Sequence, residues 1–267
     1  MARLLLYTPR TIALVCELVH PAMTPDPVPI QRVHNQLYQT GDPPYQSFAV
    51  TGAGAILSNP VQSPGASSLA AFLPDRYQFR EELSSLTYDD FAARVRTVST
   101  QVSAARGVQI FTSQHVTMRT LVNPRSFHDS RQYLKHGMFG FDDETDVFGR
   151  EPALLGIRLV FPPAEGRPGT HALRIESFSN DPRSLFLEIV SSYGPVVVEG
   201  GLPEVESNIH ATYRFVTDQA MRFIGGFDTA GAEPHGTGEI THDDPPGDEE
   251  PDDPAQPDGG RNEPGAP

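Results

Sequence analysis

The chain contains no tryptophan and a single cysteine, Cys16. One thiol excludes a disulfide framework and a cysteine-based zinc site. No uninterrupted apolar run approaches the roughly 20 residues that span a bilayer. The opening stretch MARLLLYTPRTIALVCELVHP is broken by Pro9, Arg10 and Glu17, so it reads poorly as a secretory leader. Lysine is nearly missing too: of 20 basic residues, only Lys135 is not arginine. Arginine codons are GC-rich, and a high-GC bacterial source explains this bias as well as a need for bidentate carboxylate or phosphate recognition does. These absences predict a soluble protein of a reducing cytoplasm, with no membrane partner.

What is present suffices for a core. The chain has 267 residues, 38% of them hydrophobic, and carries a net charge of −14. That charge is uneven. Residues 229–267 hold eleven acidic side chains against Arg261, together with eight prolines, seven glycines and no aromatic residue. Such a segment buries too little apolar surface to offset its ordering entropy, so the sequence predicts a disordered acidic tail. The tail reads as a solubilising extension, or as an arm for a basic surface on a partner or on the body. It would repel nucleic acid, which disfavours that class of partner. The body, 1–228, is nearly neutral at −4.

Along the body, TIALVCELVH (11–20) reads as a strand and PVPIQRVHNQLY as a helix with Ile30, Val33 and Leu37 on its apolar stripe. QSFAVTGAGAIL and SLAAFLPDRYQFREE read as extended. Thr87 to Arg106 is the clearest helix: Thr87 and Asp90 begin it, Phe91, Val95, Val98 and Val102 line it, and Gly107 ends it. The second half repeats the order. VQIFTSQHVTMRTLV (108–122) is a strand, a short helix lies near 130–136, and ALLGIRLVF, HALRIESF and LFLEIVSSYGPVVV are strands. A closing helix begins with Pro203 and stops at Gly225-Gly226. The expected architecture is α+β: two tandem βαβ(β)βα modules, 1–107 and 108–228, with largely antiparallel sheets, helices on one face, and the tail 229–267.

This order of elements resembles a sporadically distributed family of uncharacterised bacterial proteins. The features that carry it are the strand ending in proline, PVPIQRVHNQLY, PDRYQF before TYDDFAARV, and LPEVESNIHATYRFVTDQAMRFIGGF. The similarity covers about residues 10–227. It implies an accessory protein of the kind found near mobile elements or phage-defence genes. It carries no established activity, so it transfers no site residue.

Few residue groupings suggest chemistry. Asp142, Asp143, Glu144 and Asp146 could offer oxygens to a hard cation, but their spacing is too tight for a calcium loop, and a solvated loop is the ordinary use. With His128 and Asp129 they could form a metal-dependent hydrolase or nuclease site, although no spacing matches a known motif. Glu206 and His210 are an ordinary i,i+4 pair. His20, His34, His115 and His171 are dispersed. Gly52-Ala53-Gly54 lacks the lysine and following helix of a phosphate loop, and Cys16 reads as a structural thiol.

Alternation on the strands is more informative. Arg76, Gln78 and Arg80 share one face, as do His115, Thr117 and Arg119, with Arg158 and Arg174 on neighbouring strands. If the helices cover one side, the other becomes an arginine-bearing surface. The leading expectation is therefore a non-enzymatic interaction protein without a cofactor. It would dock a protein partner, or a second copy, through Arg76, Arg80, His115, Arg119, Arg158 and Arg174 or through a strand edge. The metal-dependent enzyme and a nucleic-acid-binding face are the alternatives.

Overall fold

The computed structural model describes residues 7–61, 63–141 and 143–229. Asp142 and nearly all of the expected tail lie outside the described residues.

The sheet is built from strands whose side chains alternate between a buried and a half-exposed face. In β1 (Arg10–Val19) Leu14, Cys16 and Leu18 are buried while Val15 and Glu17 are not. The same parity holds in β5 (Arg76–Glu82), where Tyr77, Phe79 and Glu81 are buried, and in β7 (Ser113–Val122), where Gln114, Val116 and Met118 are. β2 (Ser47–Thr51), β3 (Gly54–Ser58) and β4 (Ser67–Phe72) complete the first half. β8 (Gly156–Phe161), β9 (Thr170–Ser177) and β10 (Leu185–Tyr193) complete the second. Together they form one nine-stranded sheet in the order β2-β3-β4-β5-β1-β7-β10-β9-β8, antiparallel at every junction. β6 (Ile110–Phe111) and β11 (Val196–Val197) pair separately.

One face takes the helices. In α1 (Val28–Tyr38) Ile30, Val33, His34 and Leu37 are buried. In α2 (Tyr88–Arg106) Phe91, Val95, Val98 and Val102 are all fully buried. The start of α2 is set by Thr87, whose Oγ1 accepts from the Asp90 N–H at 3.1 Å, and its end by Gly107 at φ 74°. α3 (Ser130–Gln132) runs directly into a π-helical turn, Tyr133–Met138. The closing helix comprises α4 (Pro203–Arg214), a π-helical stretch (Phe215–Ala220) and α5 (Met221–Phe227). It continues through Gly225-Gly226, the expected stop, to Phe227. The wider π turn shifts the phase of its stripe, so Met221 and Ile224 are buried and Phe223 only partly so.

Polar pins hold the layers together. Gln114, fully buried on β7, donates from Nε2 to the Val205 carbonyl at 3.0 Å and accepts from Asn208 Nδ2 at 2.9 Å, tying sheet to α4. At the end of α5, the buried Asp228 carboxylate accepts from the Tyr7 hydroxyl and from the N–H groups of Arg125 (2.6 Å) and Ser126 (2.8 Å). Burial alone would raise its pKa, but these donors together hold it below the usual carboxylate range.

The expected boundary at 107/108 falls inside one compact unit. There β1 and β7 pair from Arg10↔Leu121 to Val19↔Ser113, and a single buried cluster draws residues from both halves. Gly52-Ala53-Gly54 forms the turn between β2 and β3. Gly54 is needed because a Cβ there would lie 2.2 Å from the Phe72 carbonyl oxygen, at a φ of 155°.

Candidate docking surface

The face of the sheet opposite the helices carries a charged row whose members are brought together by register. Ser67, Glu82, Ala13, Arg119, Glu188, Arg174 and Arg158 lie side by side on β4, β5, β1, β7, β10, β9 and β8. Arg119 Nε donates to Glu188 Oε2 at 2.7 Å, and its Nη1 lies 3.5 Å from Glu82 Oε1. Arg174 reaches Glu188 at 3.1 Å and Glu176 at 3.4 Å, and its guanidinium also lies over the Phe186 ring. These side chains are between 18% and 43% exposed, so the pairs form a wet lattice of weak links rather than a buried network.

The other expected face residues lie in the same plane. Arg80 is 3.8 Å from Glu82. Arg76 is held by its neighbour Asp75 at 2.9 Å and sits only 3.9 Å from Glu17. His115 lies opposite Glu17 and hydrogen-bonds Ser192 and Ser113. Arg158, on the edge strand β8, faces Arg174 and has no ion-pair partner among the described residues. Strand alternation in the sequence points to the arginines, whereas the glutamates come between them only through the register of neighbouring strands. Five arginines (76, 80, 119, 158, 174) interleave with four glutamates (17, 82, 176, 188), so the face is an alternating pattern and not a basic track.

The described residues of 128–146 do not converge on one site. Asp129 Oδ1 accepts from the Arg131 N–H at 2.6 Å, and its carboxylate pairs with the Arg131 guanidinium. Burial would raise the Asp129 pKa, but the Arg131 contacts hold it below the usual range. His128, Asp143 and Asp146 are exposed. Among the described residues no three His, Cys, Asp or Glu side chains come together to hold a metal ion. The reason is local: Asp129 is used as a cap, and a short 3-10 turn at Asp146–Phe148 presents Val147 and Phe148 to solvent. Asp142 lies outside the described residues.

The dispersed histidines have ordinary roles. His20 and His34 are buried, His20 just past the end of β1 and edge-on to Tyr77, and His34 on α1 near Phe48. His171 faces the helices, bonded to Ser191 and stacked on Phe215, and burial lowers its pKa. Glu206 is bound by Arg96 at 2.7 Å, with His210 3.9 Å away. Cys16 is fully enclosed, its thiol pushed up to about 12 by burial.

One group escaped the sequence reading. Glu81 occupies a core-facing position of β5 and is 2% exposed, at the base of a 380 Å³ cleft that includes Asn59, Ser68, Ser84, Ser85 and Arg94. Its Oε1 accepts from Arg94 at 2.7 Å and from the Ser68 hydroxyl at 2.8 Å. Burial pushes its carboxyl above the usual range, with Ser68 and Arg94 pulling the other way. Beside it Leu83 takes a left-handed φ of 48° and donates to the carbonyl of Ile12, at the bulge of β1. The signal was available in RYQFREE, where Glu81 shares the parity of Tyr77 and Phe79. These contacts tie β4, β5 and α2 together, a structural use of the carboxylate.

Among the described residues no helix is long and apolar enough to cross a membrane. Comparison with protein-family models and with curated proteins finds no match to this chain in either.

Proposed function

We propose that this protein is a non-enzymatic docking module that holds a protein partner against the open face of its sheet or along a strand edge, as an accessory component of a larger process. The observation that carries this reading is the half-exposed charged row from Glu82 to Arg158 on a nine-stranded sheet whose other face is filled by helices. Its alternating signs suit a partner with an alternating pattern of its own, since electrostatic complementarity selects partner and register more than it adds affinity. A long phosphate backbone fits poorly, because Glu82, Glu176 and Glu188 stand between the arginines. Among the described residues of the charged rows Phe186 carries an aromatic ring, and Arg174 and Phe178 cover it, which leaves it little face on which to stack bases.

We also read the body as two tandem modules fused through β1 and β7. The sheet order supports this: β2-β3-β4-β5-β1 on one side and β7-β10-β9-β8 on the other each place the first strand beside the last. Each half then closes on a helix, α2 or α4.

The test is charge reversal of Arg76, Arg80, Arg119 and Arg174 to glutamate in one variant, with circular dichroism to establish that it is folded. Loss of partner capture in a pull-down is expected. Undiminished capture by the folded variant sinks the open-face reading.

A further inference from the structure

We propose that β8 is a self-pairing edge: the β8 strands of two copies join antiparallel about a two-fold axis at Leu159, extending the sheet from one copy into the next. This rests on the docking reading above and names one partner for it, a second copy of the chain.

Three observations converge on this edge. The outer side of β8 pairs with no strand among the described residues, and its ladder to β9 runs without a bulge from Gly156↔Glu176 to Phe161↔His171. Val160 is 59% exposed and Phe161 39%, with Leu154 just upstream at 51%. Natural edges are usually blunted by charges (lysine above all), proline or a bulge; GIRLVF has no lysine, proline or bulge, and its one charge is Arg158, with Pro162 and Pro163 directly after it. The opposite edge, β2, is shorter and follows Pro43 and Pro44.

Symmetry then restricts the register. A two-fold axis perpendicular to a sheet keeps each face on its own side, so residues brought opposite one another must share parity. Centring on Arg158 would set two guanidinium groups face to face, a destabilising pair. Centring on Val160 would leave only Leu159 to Phe161 paired within the strand and set Pro162, which has no N–H, opposite Arg158 as the very next pair. Of the registers that avoid the Arg158 pair, centring on Leu159 keeps the longest run, from Ile157 to Phe161. Leu159 meets Leu159 of the partner subunit and Ile157 meets Phe161 of the partner subunit, both on the helix-facing side. Arg158 meets Val160 of the partner subunit on the open side, so no like charges oppose.

This register makes opposite demands on two substitutions at one exposed site. Val160→Glu would set a carboxylate against Arg158 twice by symmetry, and Val160→Lys an ammonium. Sedimentation equilibrium of the full chain should show concentration-dependent dimers. Relative to wild type, Val160→Glu should tighten and Val160→Lys weaken the dimer by roughly 2- to 30-fold each. Thermal melts at a concentration where all three are monomeric check that each is folded. A dimer that both substitutions shift in the same direction, or neither shifts, overturns the assignment and points to another interface such as β2. A chain that stays monomeric at the highest concentration also overturns it. That result leaves the open-face reading standing, since the four-arginine variant probes a different surface.

Discussion

Arg119 reaches Glu82 across an intervening strand: its Nη1 lies 3.5 Å from Glu82 Oε1 although β1 separates β7 from β5. The contact is possible because the residue between them is Ala13, small and 4% exposed, lying under the guanidinium. The same guanidinium binds Glu188 on the other side, so one side chain links three acidic and basic strands of the sheet's centre.

Arg119→Met keeps much of the aliphatic cover over Ala13 while removing both ion pairs. Because these groups are substantially exposed, the expected loss is at most about 1 kcal/mol, a fall of about 2–4 °C in Tm for a domain of this size. The loss should shrink in 1 M salt, where the screening length is only about 3 Å. Thermal melts at low and high salt test this; a salt-independent loss would mean that packing, not charge, is what Arg119 supplies.

Glu81 and Asp228 should respond to pH in opposite directions. For Glu81 the folded-state pKa is raised, mainly by burial. The folded state then binds the proton more readily than the unfolded chain, and stability rises as pH falls through the folded pKa. Glu81→Gln lacks this titration. Urea unfolding between pH 7 and 4.5 should show wild type gaining on the variant as pH drops, with the two within about 1 kcal/mol at pH 7. Curves that stay parallel would rule out a proton linkage at Glu81.

For Asp228 the folded-state pKa is lowered: burial raises it, and the Arg125, Tyr7 and Ser126 donors more than compensate. Its contribution is present above the unfolded carboxylate value near 3.9 and is lost as pH falls through the folded value. Asp228→Asn should cost roughly 1.5–3 kcal/mol at neutral pH, the range for hydrogen bonds to a charged group. The gap to wild type should narrow as pH falls below that unfolded value, as read by urea unfolding. A gap that stays constant from about pH 5 down to about pH 2.5 would assign the loss to packing.

Cys16 should be inert while the chain is folded. Its thiol is fully enclosed and its pKa is pushed up to about 12 by burial, so very little thiolate forms at pH 8. A thiol-reactive dye should label it only after addition of denaturant. Rapid labelling of the native protein would show that β1 opens locally.

Local pattern determined much of the secondary structure. The parity of strands such as RTIALVCELV, the Thr87–Asp90 start and Gly107 end of α2, and Pro203 at the head of α4 are encoded within a few residues, because side-chain alternation and backbone capping are short-range. The arginine face followed from the same alternation. The tertiary structure alone decided that the two halves share one sheet through β1 and β7, and that glutamates from β1, β5, β9 and β10 interleave with the arginines. It also decided that Asp129 turns to Arg131 and that Asp228 gathers Tyr7 and residues 125–126. Those outcomes depend on strand register and on contacts between residues up to 221 positions apart, and no local pattern carries that information.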